Sequence, residues 1–400
     1  MRLLQFAPRV PWPLDTGAKL RNYHLARVLG EQAQVTLLAF TQTRDPAERR
    51  LDAYESVVTV RRDGAYSIDK VIRGAIGRTP LPLLNYTTLE MRVTLAAVLI
   101  EHAYDIVQVE SIHLMNYLPE IFAAPNRPLV ICDWHNIESG LMRQYGSRQR
   151  NLARRAYARK TARLMNEFER RALDQFDAHL VVSAEDARRL RKLKAEAKIF
   201  TIENGVDAAS FSLAGEAPKT RVVFVGSMDY HANIDGAVQF AREVWPLIRQ
   251  AHPELIFTIV GRNPSATVRG LSAIGGIEVT GSVVDVRPYY HEAIAAVVPL
   301  NVGGGSRLKI LEAMAADVPV IATPRGAEGL TVEDGRNILL RETSQLASTI
   351  NQVIEDSELR RQLIEGGHQL INEHYDWSRI GGNLFQLYQK LLDERAGVSG

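Results

Sequence analysis

Four hundred residues make roughly two to three domains at about 150 residues each, long enough for two sizeable cores. With 46% hydrophobic and 24% charged residues, wholesale disorder is excluded. The 48 basic and 46 acidic side chains leave a net charge of +2, which excludes a global polyanion binder and confines any such role to a local patch.

Cys132 is the single cysteine, so a disulfide framework and a cysteine zinc site are excluded and a reducing compartment fits. The longest apolar runs, such as 294–300, fall far short of the ~20 residues a membrane span needs. The first residues lack the long apolar core and cleavage site of a signal peptide. A cytoplasmic protein is expected.

Short β-rich runs at 3–6, 35–40, 56–60, 106–110, 129–132, 179–182 and 199–202 read as strands. Helical patterns lie between several of them, at 18–29, 89–102 and 141–176. Residues 207–220, rich in Ala, Ser, Gly and Pro, interrupt the pattern. A second strand series follows at 222–225, 256–260, 277–280, 295–300, 318–322 and 338–340. The tail, 357–394, reads as helical with breaks near 375–377 and at Gly381-Gly382. Apolar strands separated by helices predict parallel sheets covered on both faces. The expected fold is α/β, two doubly wound, Rossmann-like domains facing across a cleft. The expected boundaries are 1–206 on the acceptor side and 207–375 on the donor side, with a C-terminal helix at 376–400 returning to the first domain. Ligands bind outside the carboxyl ends of such strands, so that cleft is the expected site.

The most informative segment follows the strand at 295–300. Gly303, Gly304 and Gly305 turn the chain, Ser306 is placed to cap, and a helix begins with Arg307, Lys309 and Glu312 in its first turns. Glycines let backbone amides approach a ligand, and a helix N-terminus favours an anion. Two cations at that end work against the helix dipole, which points to an anionic partner such as a phosphate. Glu312 stands among apolar neighbours, where a carboxylate is costly unless hydrogen-bonded; ribose hydroxyls would serve. A capped helix whose charges reach solvent is the plain alternative.

The run from Gly304 to Thr323 resembles the donor segment of retaining glycosyltransferases of family 4, with the GT-B fold. Asn204-Gly-Val-Asp207, the Ser183-x-x-Asp186 helix start and Asp334-Gly-x-Asn337 resemble further family segments in the same order. Phe224-Val-Gly-Ser-Met-Asp229 is similar to a branch of exopolysaccharide-associated sugar transferases. The resemblance spans nearly the whole chain and is weakest at 41–100. It implies a nucleotide-sugar donor, a glycan or lipid-linked acceptor, no metal and no other cofactor. It assigns Gly226, Ser227, Gly303, Gly304, Gly305, Ser306 and Glu312 to the donor, and Arg307 and Lys309 to catalysis at the leaving phosphates.

Two departures matter. The family's Glu-x7-Glu pair keeps its second member in Glu312, while Gly304 holds the first position. The usual Arg and Lys that clamp the diphosphate are replaced by Ser227 and Asn233, which shifts neutralisation to Arg307 and Lys309, with Arg262 next in line. In the first domain, Gly17 matches the glycine that approaches the donor phosphates, and His135 matches the family's cleft histidine, a catalytic candidate. Asp15, Lys19 and Asp133 are acceptor-side candidates, and Glu110, also at a strand end, is expected to face the cleft.

Ten Arg or Lys against two acidic residues in 143–171, with Leu164, Phe168, Ala172 and Phe176 every fourth position, describe an amphipathic basic helix. It reads either as a solvated outer face or as a peripheral contact with an anionic membrane surface, suited to a lipid-linked acceptor. No aromatic interleaving or RNA motif accompanies it, so no nucleic-acid partner is expected. A nucleotide-sugar epimerase of the same fold, or a non-catalytic nucleotide-sugar-binding partner, remains open at this level.

Overall fold

The computed structural model describes residues 1–42, 51–62, 67–149, 151–211, 213, 215, 217–302 and 307–397. The chain divides into two compact units, Met1–Glu203 with Ile380–Gly400, and Asn204–Arg379.

The first unit is built on seven parallel strands: β1 (Arg2–Ala7), β2 (Gln34–Thr41), β3 (Ser56–Arg61), β4 (Ile106–Glu110), β5 (Leu129–Trp134), β6 (Ala178–Val181) and β7 (Ile199–Thr201), in the order β3-β2-β1-β4-β5-β6-β7. Both β4 and β5 are buried along their entire length, because helices cover the two faces of the sheet. The order reverses between β1 and β4, and the crevice at that switch point lies at the carboxyl ends of both strands.

The second unit repeats the design with β8 (Arg221–Val225), β9 (Ile256–Val260), β10 (Ile277–Gly281), β11 (Ala293–Val298), β12 (Val320–Ala322) and β13 (Leu339–Leu340), in the order β10-β9-β8-β11-β12-β13. Its switch point falls between β8 and β11. The Asp334–Asn337 turn feeds β13: Gly335 holds φ at +79°, and the Asn337 side chain accepts from the Glu333 amide at 2.9 Å.

Every strand read from the sequence is present; 106–110 and 256–260 match end to end, and the others have shifted ends. β11 closes at Val298 rather than 300, since Pro299 has no amide to donate and the Leu300 N–H turns back to the Val298 carbonyl at 3.0 Å. The stretch 141–176, expected as one helix, is two: Glu138–Arg148 and Leu152–Gln175. Asn151 caps the second by accepting from the Arg154 amide at 3.1 Å, and the pair packs so closely that a Cβ on Gly146 would lie 3.1 Å from that of Ala158. Ser183 caps its helix as the sequence implies, accepting from the Asp186 amide at 3.1 Å.

In the tail, the break at 375–377 is real. Val206 bridges to it, its amide donating to the Tyr375 carbonyl at 2.8 Å and its own carbonyl accepting from Trp377 at 3.2 Å. Gly381-Gly382, expected as a second break, lies inside the continuous helix Trp377–Ala396. Gly381 is there for a close approach: a Cβ on it would sit 2.5 Å from Val28 of the helix Gly17–Gly30, while nothing lies within 4 Å of a Cβ on Gly382. Urea unfolding therefore separates two neighbouring substitutions. Gly381→Ala overpacks the contact and costs about 1–3 kcal/mol. Gly382→Ala relieves a mid-helix glycine and adds about 0.5–1 kcal/mol. Equal effects of the two would refute the close approach.

Candidate functional site

The switch point of the second unit gathers cations around one short loop. Gly226 and Ser227 follow β8, and the helix Leu308–Ala315 follows β11 and the segment that holds Gly303, Gly304, Gly305 and Ser306, which lie outside the described residues. The Lys309 ammonium donates to Asn233 Oδ1 at 2.7 Å and lies over the Phe224 ring, 4.6 Å from its centroid. A Cβ on Gly226 would come within 2.7 Å of Asn233 Nδ2 and 2.8 Å of Lys309 Nζ, so a side chain there would push the ends of both aside. Burial, with the Arg307 charge beside it, pulls Lys309 down to about 7, against the supporting charge of Glu312.

Asn233 turns its amide nitrogen to the Ser227 carbonyl at 2.8 Å. Ser227 Oγ donates to Asp229 Oδ1 at 2.7 Å and accepts from Arg262 Nε at 2.9 Å. The two positions where a clamping Arg and Lys are missing are thus each touched by a cation from elsewhere: Arg262, after β9, reaches Ser227, and Lys309 reaches Asn233.

Arg307 is 5% exposed at the start of the helix, donating from Nη2 to the Arg325 carbonyl at 2.9 Å. Burial lowers its proton affinity, opposed by the charge of Glu328. Glu312 is half-buried. The wholly enclosed Tyr290 hydroxyl donates to its Oε2 at 3.3 Å, yet burial still pushes the carboxyl up. Part of the partnership expected from ribose is therefore met by Tyr290.

In the first unit, His135 follows β5 with 14% of its side chain exposed, and its Nε2 lies 2.7 Å from Glu110 Oε2. Burial opposes charge on this ring, but the Glu110 hydrogen bond and the Asp133 charge outweigh it and raise its proton affinity. Burial and Asp133 raise Glu110, which the His135 ring counteracts. Nearby, burial and the charge of Glu169 push Glu138 up to about 7, and burial holds His113 down to about 4.

Glu110, expected to face the cleft, and Asp133, expected on the acceptor side, are fully buried. Both oxygens of Asp133 are held by Arg21, at 2.8 and 3.1 Å, so it supports the site from beneath. Arg21 Nη1 also donates to the Ile202 and Glu203 carbonyls. Asp15 and Lys19 pair with each other at 2.8 Å around Gly17, the first residue of the helix Gly17–Gly30. Ligand atoms of Glu110, Asp133 and His135 lie within 4.8 Å of one another, the spacing of a metal cluster. Each carboxylate already has a partner, Asp133 in the Arg21 guanidinium and Glu110 in the His135 ring.

Sequence reasoning missed Gln5, Arg21, Tyr54, Gln108, Tyr290 and Tyr388. The usable signal was a polar amide in mid-strand: Gln5 and Gln108 stand inside apolar runs of β1 and β4 and are 1% and 0% exposed.

Two nucleotide-binding-type sheets, each with a polar crevice at its switch point, define a GT-B glycosyltransferase fold. The family model Glycosyltransferase Family 4 matches residues 16–210 and Glycosyl transferases group 1 matches 219–356. The chain belongs to this glycosyltransferase family. It is 25% identical over 209 residues to a protein described as glycogen synthase from Mycobacterium tuberculosis, covering 48% of each chain. It thus spans about half the length of the curated relatives it matches. Among solved structures, sucrose-phosphate synthase of Thermosynechococcus elongatus is similar with a TM-score of 0.69 at 18% identity, over 98% of this chain and 100% of that one. Anabaena HepE, in complex with UDP, gives 0.68 at 15% identity over the same shares, 98% and 100%.

The enclosed ammonium has a measurable signature. Between Lys309's value of about 7 and the ordinary lysine value near 10.4, the unfolded chain holds a proton that the folded chain does not. Stability of the unliganded protein should therefore rise with pH across that window, by at most about 1.4 kcal/mol per unit from this group. Comparing urea unfolding at pH 7 and pH 9, Lys309→Met should remove that part of the rise. An identical slope in both proteins would mean the ammonium is solvated.

Proposed function

We propose that the protein transfers a sugar from a nucleotide-sugar donor to a hydroxyl of a glycan or lipid-linked acceptor, retaining anomeric configuration, in polysaccharide or glycoconjugate synthesis. The observation that carries this reading is Lys309, an ammonium enclosed against Gly226 and Asn233 with a proton affinity lowered to about 7. Such a group is poised for a strong anion, and a diphosphate fits. As the bond from the anomeric carbon to the phosphate oxygen breaks, negative charge grows on the leaving diphosphate. Arg307 and Lys309 stabilise it, and Arg262 contributes through the Ser227 loop. The acceptor oxygen forms the new bond on the same face, and its proton passes to the departing phosphate. Glu312 Oε1 takes the ribose hydroxyls while Tyr290 holds Oε2. His135 serves the acceptor side.

Rates and affinities separate these roles. A contact realised in the transition state lowers kcat when lost; a uniform binding contact mainly raises KM. Arg307→Ala and Lys309→Ala should each lower turnover of a nucleotide sugar by roughly one to two decades, from the ~1.5–3 kcal/mol of a charged hydrogen bond. Glu312→Gln should weaken nucleoside diphosphate and nucleotide sugar binding alike, since both carry the ribose. Unchanged turnover in the Arg307 and Lys309 variants would remove the diphosphate assignment. Release of free epimerised sugar without an acceptor would replace transfer with epimerisation.

The lipid-linked class of acceptor is favoured by the helix Leu152–Gln175. Ala158, Thr161, Ala162, Leu164, Met165, Glu169, Ala172 and Leu173 are buried, while Arg154, Arg155, Arg159, Arg163, Arg170 and Arg171 are exposed, the first two in the uncovered first turn of the helix. Phe168, expected on the apolar stripe, is only half-buried, and Glu169 is buried, accepting from the Ser139 amide at 2.8 Å. Exposed Tyr145 and Leu152 lie at the turn between the two helices. Among the described residues no helix is long and apolar enough to cross a membrane. A basic face beside exposed apolar side chains fits peripheral docking on anionic lipid. The protein should sediment with anionic vesicles at low salt and leave them as salt rises, and Arg154, Arg155 and Arg159→Gln together should weaken this without unfolding. Equal partition onto neutral vesicles would reject it.

A further inference from the structure

The groups beneath His135 form a continuous chain of hydrogen bonds whose direction is fixed. Tyr388, on the C-terminal helix Trp377–Ala396, donates its hydroxyl to Gln108 Oε1 at 2.6 Å. Gln108 then donates from Nε2 to Glu110 Oε1 at 2.7 Å. A second branch enters from the other side: the Tyr54 hydroxyl donates to Gln5 Oε1 at 2.6 Å, and Gln5 Nε2 donates to the same Glu110 oxygen at 2.7 Å. Asn22, its amide turned to suit its neighbours, gives a further donor to Glu110 Oε2 at 3.1 Å. Tyr388, Gln108 and Glu110 are fully buried, so water does not substitute for any of these bonds.

A glutamine side chain accepts at one end and donates at the other. With a phenol hydroxyl on its oxygen, its nitrogen has to face the carboxylate. An ionised carboxylate only accepts, so every bond into Glu110 runs inward. His135 Nε2, 2.7 Å from Oε2, is then a donor as well, and Nδ1 is the ring nitrogen left for a substrate. The other titratable or charged groups around the ring are Asp133 on β5, Arg21 on the helix Gly17–Gly30, His113 in the turn after β4 and Glu138 at the start of its helix. Among the described residues, Nε2 bonds to Glu110 alone.

We propose that Tyr388, Gln108 and Glu110 are positioning residues for His135, fixing its neutral ring in the Nε2–H form so that Nδ1 meets the acceptor. The chain's last helix thereby sets the chemistry of a side chain some 250 positions earlier (Tyr388 against His135). This rests on the reading of His135 as the acceptor-side group, and the experiment keeps the two separable.

Nitrogen NMR of the full chain labelled in its histidine rings reads the form directly, with His135 assigned by its loss in His135→Gln. In the wild type the neutral ring should be the Nε2–H form. Glu110→Gln should release the ring proton at least about one pH unit lower, because the charge opposing burial is gone. Tyr388→Phe, which keeps the ring and frees the Gln108 amide to turn over, should give a mixture of both neutral forms. Turnover should fall ~10-fold or more in Glu110→Gln and less in Tyr388→Phe, with the donor KM unchanged. An Nδ1–H ring in the wild type, or identical spectra in wild type and Tyr388→Phe, would overturn the proposal. If Glu110→Gln does not fold, those two measurements still decide. If the spectra change as expected while transfer does not, the positioning chain stands and the acceptor role of His135 falls.

Discussion

Burying a charge costs several kcal/mol unless a partner takes it up, and the two units meet that constraint in opposite ways. The first unit matches its charges internally: Arg21 clamps both oxygens of Asp133, and Glu110 holds His135 while three amides donate into its carboxylate. The second unit encloses Lys309 against a neutral amide and an aromatic ring, with Glu312 its supporting charge and that carboxylate itself pushed up by burial. A crevice in that state loosens the ammonium's hold on its proton, which an anion beside it would strengthen. The first unit therefore holds its buried charges in matched pairs, while the second leaves the Lys309 ammonium only partly compensated. The contrast agrees with the proposed reaction, in which charge accumulates on a leaving diphosphate.

The strands were legible because parallel sheets covered on both faces write themselves as uninterrupted apolar runs. What the runs do not show is where the ladder stops, which Pro299 decided for β11, or where a helix restarts, which the Asn151 cap decided within 141–176. Gly381-Gly382 misled for a related reason. A glycine pair marks a break in a solitary helix, but against Val28 it marks a contact, and the neighbour lies more than 350 residues away in sequence. Arg307, Lys309 and Glu312 were legible as charges in the wrong place: cations at a helix start and a carboxylate in an apolar stripe. Tyr388 carried no such sign, since a tyrosine on an amphipathic helix is ordinary. Its meaning appears only when the fold sets it against Gln108.

The loop after β8 draws its cations from other elements. Ser227 and Asn233 occupy positions where cations would be expected from the family resemblance, yet each is a polar hinge for a cation from another element. Arg262 bonds to the first and Lys309 to the second, and Asn233 ties the two positions by donating to the Ser227 carbonyl. Moving the charge to Lys309 places it on a helix whose Ile310, Leu311, Ala313 and Met314 are buried, so its base is fixed by packing and not by loop conformation. Fixed donors that need no reorganisation as charge develops are the effective ones in transfer chemistry. The relocation in turn bears on the loop: a Cβ on Gly226 would crowd the ends of both Lys309 and Asn233, so a side chain there would displace the ammonium from its present place. Glycine and lysine here are coupled through that contact: a side chain at 226 would shift the ammonium and with it the bond to Asn233.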